Sequence, residues 1–177
     1  MDPVAAKEPT MSPSRKHAPA LAGTLALLCA AVLPAAAGQV EVQFVEPDKF
    51  SDAGRSHRDR EHTLKTLGDY LQALGRELPE GQTLRLEVTD LDLAGNIEPF
   101  GWRRADEVRV LRGQADWPHV NLRYTLLAGG LTLKAGEAHL ADLSYMYSLR
   151  GRDLGQDSLA YEKRMVRRWF DETFAAR

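Results

Sequence analysis

The chain has 177 residues, of which 44% are hydrophobic and 27% charged, a balance that suits a folded globular protein. Its formal net charge of −2 leaves no basic footprint for nucleic acid. A single cysteine, Cys29, excludes a disulfide within the chain and paired-cysteine metal sites.

The first 37 residues differ from the rest. "MSPSRKHAPALAGTLALLCAAVLPAAAGQ" places Arg15 and Lys16 before an apolar run from Leu21 to Leu33, followed by Pro34 and Ala35, Ala36 and Ala37. A basic start, a short apolar core and an A-x-A exit read as a secretory signal peptide, cleaved after Ala37. A membrane-spanning helix needs about 20 apolar residues and this run is about 13 long, so a cleaved leader fits better than an anchor. Met11 is an alternative start to Met1. Leu28 before Cys29 argues against lipid attachment, and Arg15 followed by Lys16 is no twin arginine. Cys29 departs with the leader, and export without disulfides fits a bacterial periplasm. The leader carries Lys7, Arg15 and Lys16 against Asp2 and Glu8, a net of +1, so the mature chain from Gly38 carries −3. About 140 residues remain, enough for one domain with one core, residues 38–177.

Along the mature chain, "QVEVQFVEP" alternates Val40, Val42 and Phe44 with polar neighbours, the pattern of a half-buried strand. A charged loop then leads into a helix whose Leu64, Leu67, Leu71, Leu74 and Leu78 step by three and four. Gly68 and Gly75 weaken that helix but admit a close neighbour, and Pro79 and Gly81 end it. Four strands follow: "TLRLEVTD", "EVRVLRG", "PHVNLRYTLLAGG" and "LTLKAGEAHLADLSY", the last two joined at Ala128-Gly129-Gly130 as a hairpin, with a β-bulge expected at Gly136. A final helix from about Ser158, its N-cap, carries Leu159, Val166, Trp169, Phe170 and Thr173 on one side. The order β-α-β-β-β-β-α predicts an α+β domain: an antiparallel sheet of about five strands with two helices on one face.

The stretch "VTDLDLAGNIEPFGW" raises the main functional question. Leu84, Leu86, Val88, Asp90 and Asp92 share parity, so an unbroken alternation would drive two carboxylates into the core, at a cost of several kcal/mol. The strand must bulge or end near Thr89, or the aspartates must lie at the rim. In one reading they accept hydrogen bonds from loop amides, with Gly95-Asn96 as a turn. In the other they hold a hard cation, because D-x-D-x-x-G echoes the start of a calcium loop. Ala94 and Gly101 stand where that loop needs ligands, so a metal site here would be irregular, built on Asp90, Asp92 and Asn96.

Two loops mix aromatic residues with arginine, the composition of interface anchors: Phe100, Trp102 and Arg103 in one, Tyr145, Tyr147 and Arg150 in the other. Both also have plain alternatives, as core caps and solvated surface. The chain has no H-E-x-x-H pair, nucleophile elbow, phosphate loop or dinucleotide fingerprint. A two-carboxylate hydrolase stays open, with no particular pair indicated.

Taken together, "VEVQFVEPDKFSD", "LPEGQTLRLEVTDLDLAG", "DWPHVNLRYTL" and "LAYEKRMVRRWF" resemble the bacterial domain-of-unknown-function family 3016 across the mature chain. The resemblance implies a small exported α+β domain and carries over no activity, cofactor or catalytic residue. The expected function is that of a non-enzymatic periplasmic binding or envelope-accessory domain. It would meet an envelope protein or small ligand, with neither cofactor nor transmembrane segment in the mature chain. The alternative is a metal-binding protein or metal-dependent hydrolase centred on Asp90 and Asp92.

Overall fold

A computed structural model of the chain describes residues 37–99, 107–113, 115–148 and 157–174. The expected leader, apart from Ala37, lies outside them. Six strands run through the described residues: β1 (Gln39–Phe44), β2 (Gln82–Asp92), β3 (Asn96–Pro99), β4 (Glu107–Val110), β5 (His119–Ala128) and β6 (Leu131–Ala141). Three α-helices accompany them: α1 (His57–Ala73), the single turn α2 (Tyr145–Ser148) and α3 (Ala160–Phe174).

The fold is α+β, but the sheet differs from the expected one in direction and membership. The main sheet has four strands in the order β1-β2-β5-β6. β1 pairs with β2 in parallel, whereas β2–β5 and β5–β6 are antiparallel. The reason lies in the connection. A 17-residue helix between β1 and β2 carries the chain back to the end where β1 began, so the next strand runs the same way. The segment around Val108 and Val110, expected as a member of the sheet, instead pairs with Asn96–Pro99 as a separate two-stranded sheet. An exchange of register on β6 also falls elsewhere than expected. Gly136 pairs regularly with Tyr124, and the irregularity lies between Leu126 and Leu127, where Leu133 is the unpaired residue.

One face of the main sheet holds the core. Leu84, Leu86 and Val88 of β2 and Val120, Leu122 and Leu126 of β5 meet Leu67 and Leu71 of α1 and Val166, Trp169 and Phe170 of α3. Burying each large aliphatic or aromatic side chain contributes roughly 1.5–3 kcal/mol, so this layer supplies most of the drive to fold. α1 packs along β1 and α3 along β6. Ser56 starts α1 with a capping box: its Oγ accepts from the Asp59 amide and Asp59 accepts from the Ser56 amide. The leucine stripe continues through a 3₁₀ turn (Leu74–Glu77), where a Cβ on Gly75 would stand 2.8 Å from the Cα of Gln39. Glycine there lets helix and strand approach, as its place on the packed stripe suggested. The opposite face of the sheet is polar, crossed by Arg85–Glu41 at 2.8 Å and Arg123–Glu87 at 2.9 Å. At the start of α3 the serving carboxylate is Asp157, which accepts from the Leu159 amide at 3.0 Å; Ser158 is exposed.

Candidate functional site

β2 answers the parity question with one residue. Its ladder with β5 shifts between Val88 and Asp90, leaving Thr89 extra, with its Oγ1 donating to the Asn121 carbonyl at 3.2 Å. A single inserted residue exchanges the two faces of everything after it. Leu91 and Leu93 therefore enter the core, while Asp90 and Asp92 turn to the half-buried rim.

At the rim Asp90 holds the loop after β1. Its carboxylate accepts from the Ser51 amide at 2.8 Å, the Ser51 hydroxyl at 3.0 Å and the Leu91 amide at 2.9 Å, with His119 Nε2 at 3.3 Å. Asp52 extends the parallel ladder: its amide donates to Leu91 O at 2.9 Å and its carbonyl accepts from the Leu93 amide at 3.0 Å. His119 Nδ1 lies 3.4 Å from Asp92, so the imidazole stands between the two carboxylates. Burial works to raise the Asp90 carboxyl, but the Ser51 and His119 contacts outweigh it and hold the group below its ordinary range. Asp92 is held above its ordinary range by burial, aided by the charges of Asp52 and Asp90. Asn96 is exposed at the start of β3, across from Val110. Among the described residues no three His, Cys, Asp or Glu side chains converge so as to hold a metal ion. The rim carboxylates act on loop amides and an imidazole.

Past the rim the chain turns at Gly95, at φ +80°, where a Cβ would stand 2.6 Å from the Val110 carbonyl oxygen. Only glycine fits so tight a turn against β4. Arg109 of β4 secures it. Its Nη1 donates to Ala94 O at 3.2 Å and Gly95 O at 2.9 Å, and its Nη2 lies 3.0 Å from Asp52 Oδ2.

From the other side comes Glu162, in the first turn of α3 and 1% exposed. Its Oε1 accepts from the Ala94 amide at 2.8 Å, while its buried Oε2 has no hydrogen-bond partner among the described residues. Burial pushes this carboxyl up, against the Ala94 amide and the Arg109 charge. Glu162 lines a cleft of about 220 Å³ with Ala94, Arg109, Leu111, Tyr161, Asp157 and Ser158. Asp157 is occupied: Lys163 Nζ donates to both its oxygens at 2.8 and 2.9 Å, holding its carboxyl down against burial.

The aromatic candidates separate. Tyr145 is fully buried, packed edge-on against Tyr161 at 4.8 Å, and its hydroxyl accepts from the Gly113 amide at 3.2 Å. Burial pushes its phenol up to about 12. As a partner-binding residue Tyr145 is therefore corrected: its ring fills a small second core with Ala94, Leu111 and Trp117. Tyr147, two residues on, is 89% exposed. Phe100, Trp102, Arg103 and Arg150 lie outside the described residues.

Two residues that shape the cleft, Arg109 and Glu162, were not among the sequence candidates. For Glu162 a signal existed. Leu159, Glu162, Val166 and Phe170 step by three and four, so a carboxylate stands on the apolar stripe of α3. Arg109, in a short strand of mixed composition, had none.

Residues 38–172 match the family described as "Protein of unknown function (DUF3016)", and the chain belongs to it. No curated protein and no solved structure matches the chain.

Proposed function

From membership of a family whose description carries no activity, we propose that this protein is an exported, non-enzymatic binding or envelope-accessory domain that meets a protein partner around Tyr147. The observation carrying the binding role is the segment around α2. Leu143 is 66% exposed, Met146 41% and Tyr147 89%, three large apolar side chains within five residues. Isolated exposed apolar residues are common, whereas a contiguous group marks contact surface. Tyr145 and Tyr161 hold that segment from beneath, so the surface rests on packed core. Export rests on the basic start, the short apolar run and the Ala35-Ala36-Ala37 exit. Among the described residues no helix is long and apolar enough to cross a membrane.

Expression of the full chain in a Gram-negative host, followed by fractionation and intact mass, tests the export half. A periplasmic product beginning at Gly38 is expected; an uncleaved cytoplasmic product overturns it. For the binding half, a photo-crosslinking residue is placed at Tyr147 and, separately, at Gln43 on the polar sheet face. Adducts from position 147 alone, lost on Leu143→Glu, are expected. Equal adducts from both positions would remove the partner surface.

A further inference from the structure

The Tyr147 surface leaves the cleft at the start of α3 unused, and the cleft contains a carboxylate that local structure does not satisfy. Buried polar atoms nearly always find a partner, because an unmet one bears the full loss of its hydration. Glu162 meets this requirement with one oxygen only.

The charges around the cleft identify what is missing. Arg109 is paired with Asp52 through Nη2 and donates through Nη1 to the Ala94 and Gly95 carbonyls. Asp157 is paired with Lys163. Each of those pairs is neutral, so an ionised Glu162 is the one uncompensated charge among these five side chains. Its place in the first turn of α3 favours the anion, since helix N-termini carry positive potential. Ala94, Leu111 and Tyr161 supply apolar wall, and about 220 Å³ is smaller than the usual site for a drug-sized ligand.

We propose that this cleft is a binding site for a small organic cation, a primary ammonium on a short apolar body, with Glu162 Oε2 as its acceptor. The ammonium supplies the hydrogen bond and the charge that Glu162 lacks, and the body lies against Leu111 and Tyr161. Burial raises the Glu162 carboxyl in the free protein, so a bound cation favours release of its proton. The neighbouring charges Arg109, Asp157 and Lys163 are already paired and stay as they are.

The test uses the protein purified from the expressing cell, titrated with n-butylammonium, neutral n-butanol and butyrate, and followed through backbone amide resonances. Saturable shifts at Ala94 and Glu162 are expected with n-butylammonium, and binding about tenfold weaker or worse with n-butanol, which lacks the charge-assisted hydrogen bond. Glu162→Gln, which keeps the acceptor for the Ala94 amide, should weaken n-butylammonium by about tenfold or more. Ser158→Trp, placed at an exposed lining position and away from the core, should block the cleft with Glu162 intact. The proposal is overturned if n-butanol or butyrate binds as well as n-butylammonium, if Glu162→Gln binds it unchanged, or if the Ala94 and Glu162 amides never shift.

Discussion

Asp90 and Glu162 are two carboxylates at the same end of one sheet, and they are treated in opposite ways. Asp90 is partly exposed, takes two hydrogen bonds from Ser51 and one from the Leu91 amide, and is held below its ordinary range. Glu162 is buried, accepts from the Ala94 amide through Oε1, leaves Oε2 without a partner among the described residues, and is held above its ordinary range. Asp90, one of a pair that looks like a site by spacing, fastens the loop after β1, whereas the lone glutamate on an apolar stripe has an oxygen with no hydrogen-bond partner among the described residues. Spacing along a chain reports which groups are near each other, but not whether their lone pairs are already filled.

Thr89 underlies the contrast, since the residue it adds sends Leu91 into the core, and emptying that position should give the largest effect. Leu91→Ala empties the fully buried position that the extra residue at Thr89 gives to Leu91. The loss should reach about 4 kcal/mol, the cost of a lost transfer term plus the cavity left behind. Thr89→Ser keeps both the extra residue and the hydroxyl and should stay within about 0.5 kcal/mol of the parent. Near-ultraviolet circular dichroism and urea unfolding of the two variants check this. A Leu91→Ala variant as stable as the parent would show that the bulge does not seat Leu91 in the core.

Next in size is Asp90→Ala, which releases the Ser51 amide and hydroxyl, the Leu91 amide and His119 together. Urea unfolding at pH 7 should show a loss of about 3 kcal/mol, with Asp90→Asn losing about half of that, since an amide still accepts. The carboxyl of Asp90 sits below its unfolded value of about 3.9, so its contribution is complete above that pH and is lost as pH falls through the folded value. The gap between the parent and Asp90→Asn should therefore close in acid. A gap that holds at low pH would mean that Asp90 acts through shape alone.

Much of this arrangement was legible in the chain. The alternation of Leu84, Leu86 and Val88 followed by Leu91 and Leu93 already requires a bulge near Thr89, because apolar parity cannot change otherwise. The stripe from Leu64 to Leu78 marks α1 and its extension. The parallel β1–β2 pairing was missed because strand patterns carry no direction, and only the helix between them does. β3 was missed because Gly95-Asn96 reads as a turn and the residues after it as a loop. The cleft could not be read at all: it depends on α3 and β4 meeting at Ala94, a contact between residues 68 apart.

Glu162→Gln is the smallest expected change and the one that most sharpens the contrast. Its carboxyl sits above the unfolded value of about 4.3, so the sign reverses relative to Asp90: stability is full below that pH and is lost as pH rises through the folded value. Glutamine keeps an acceptor for the Ala94 amide and does not titrate. The variant should be more stable than the parent by about 1 kcal/mol at pH 8 and close to it near pH 4, read from urea midpoints at the two values. The gaps for Asp90→Asn and Glu162→Gln should thus run opposite ways: the parent gains with pH at one site and loses at the other. If both move together, the two carboxylates share one environment and the distinction fails. If they diverge, Glu162 is retained against its own cost to folding, and n-butylammonium binding that falls in the same variant would identify what that cost supports.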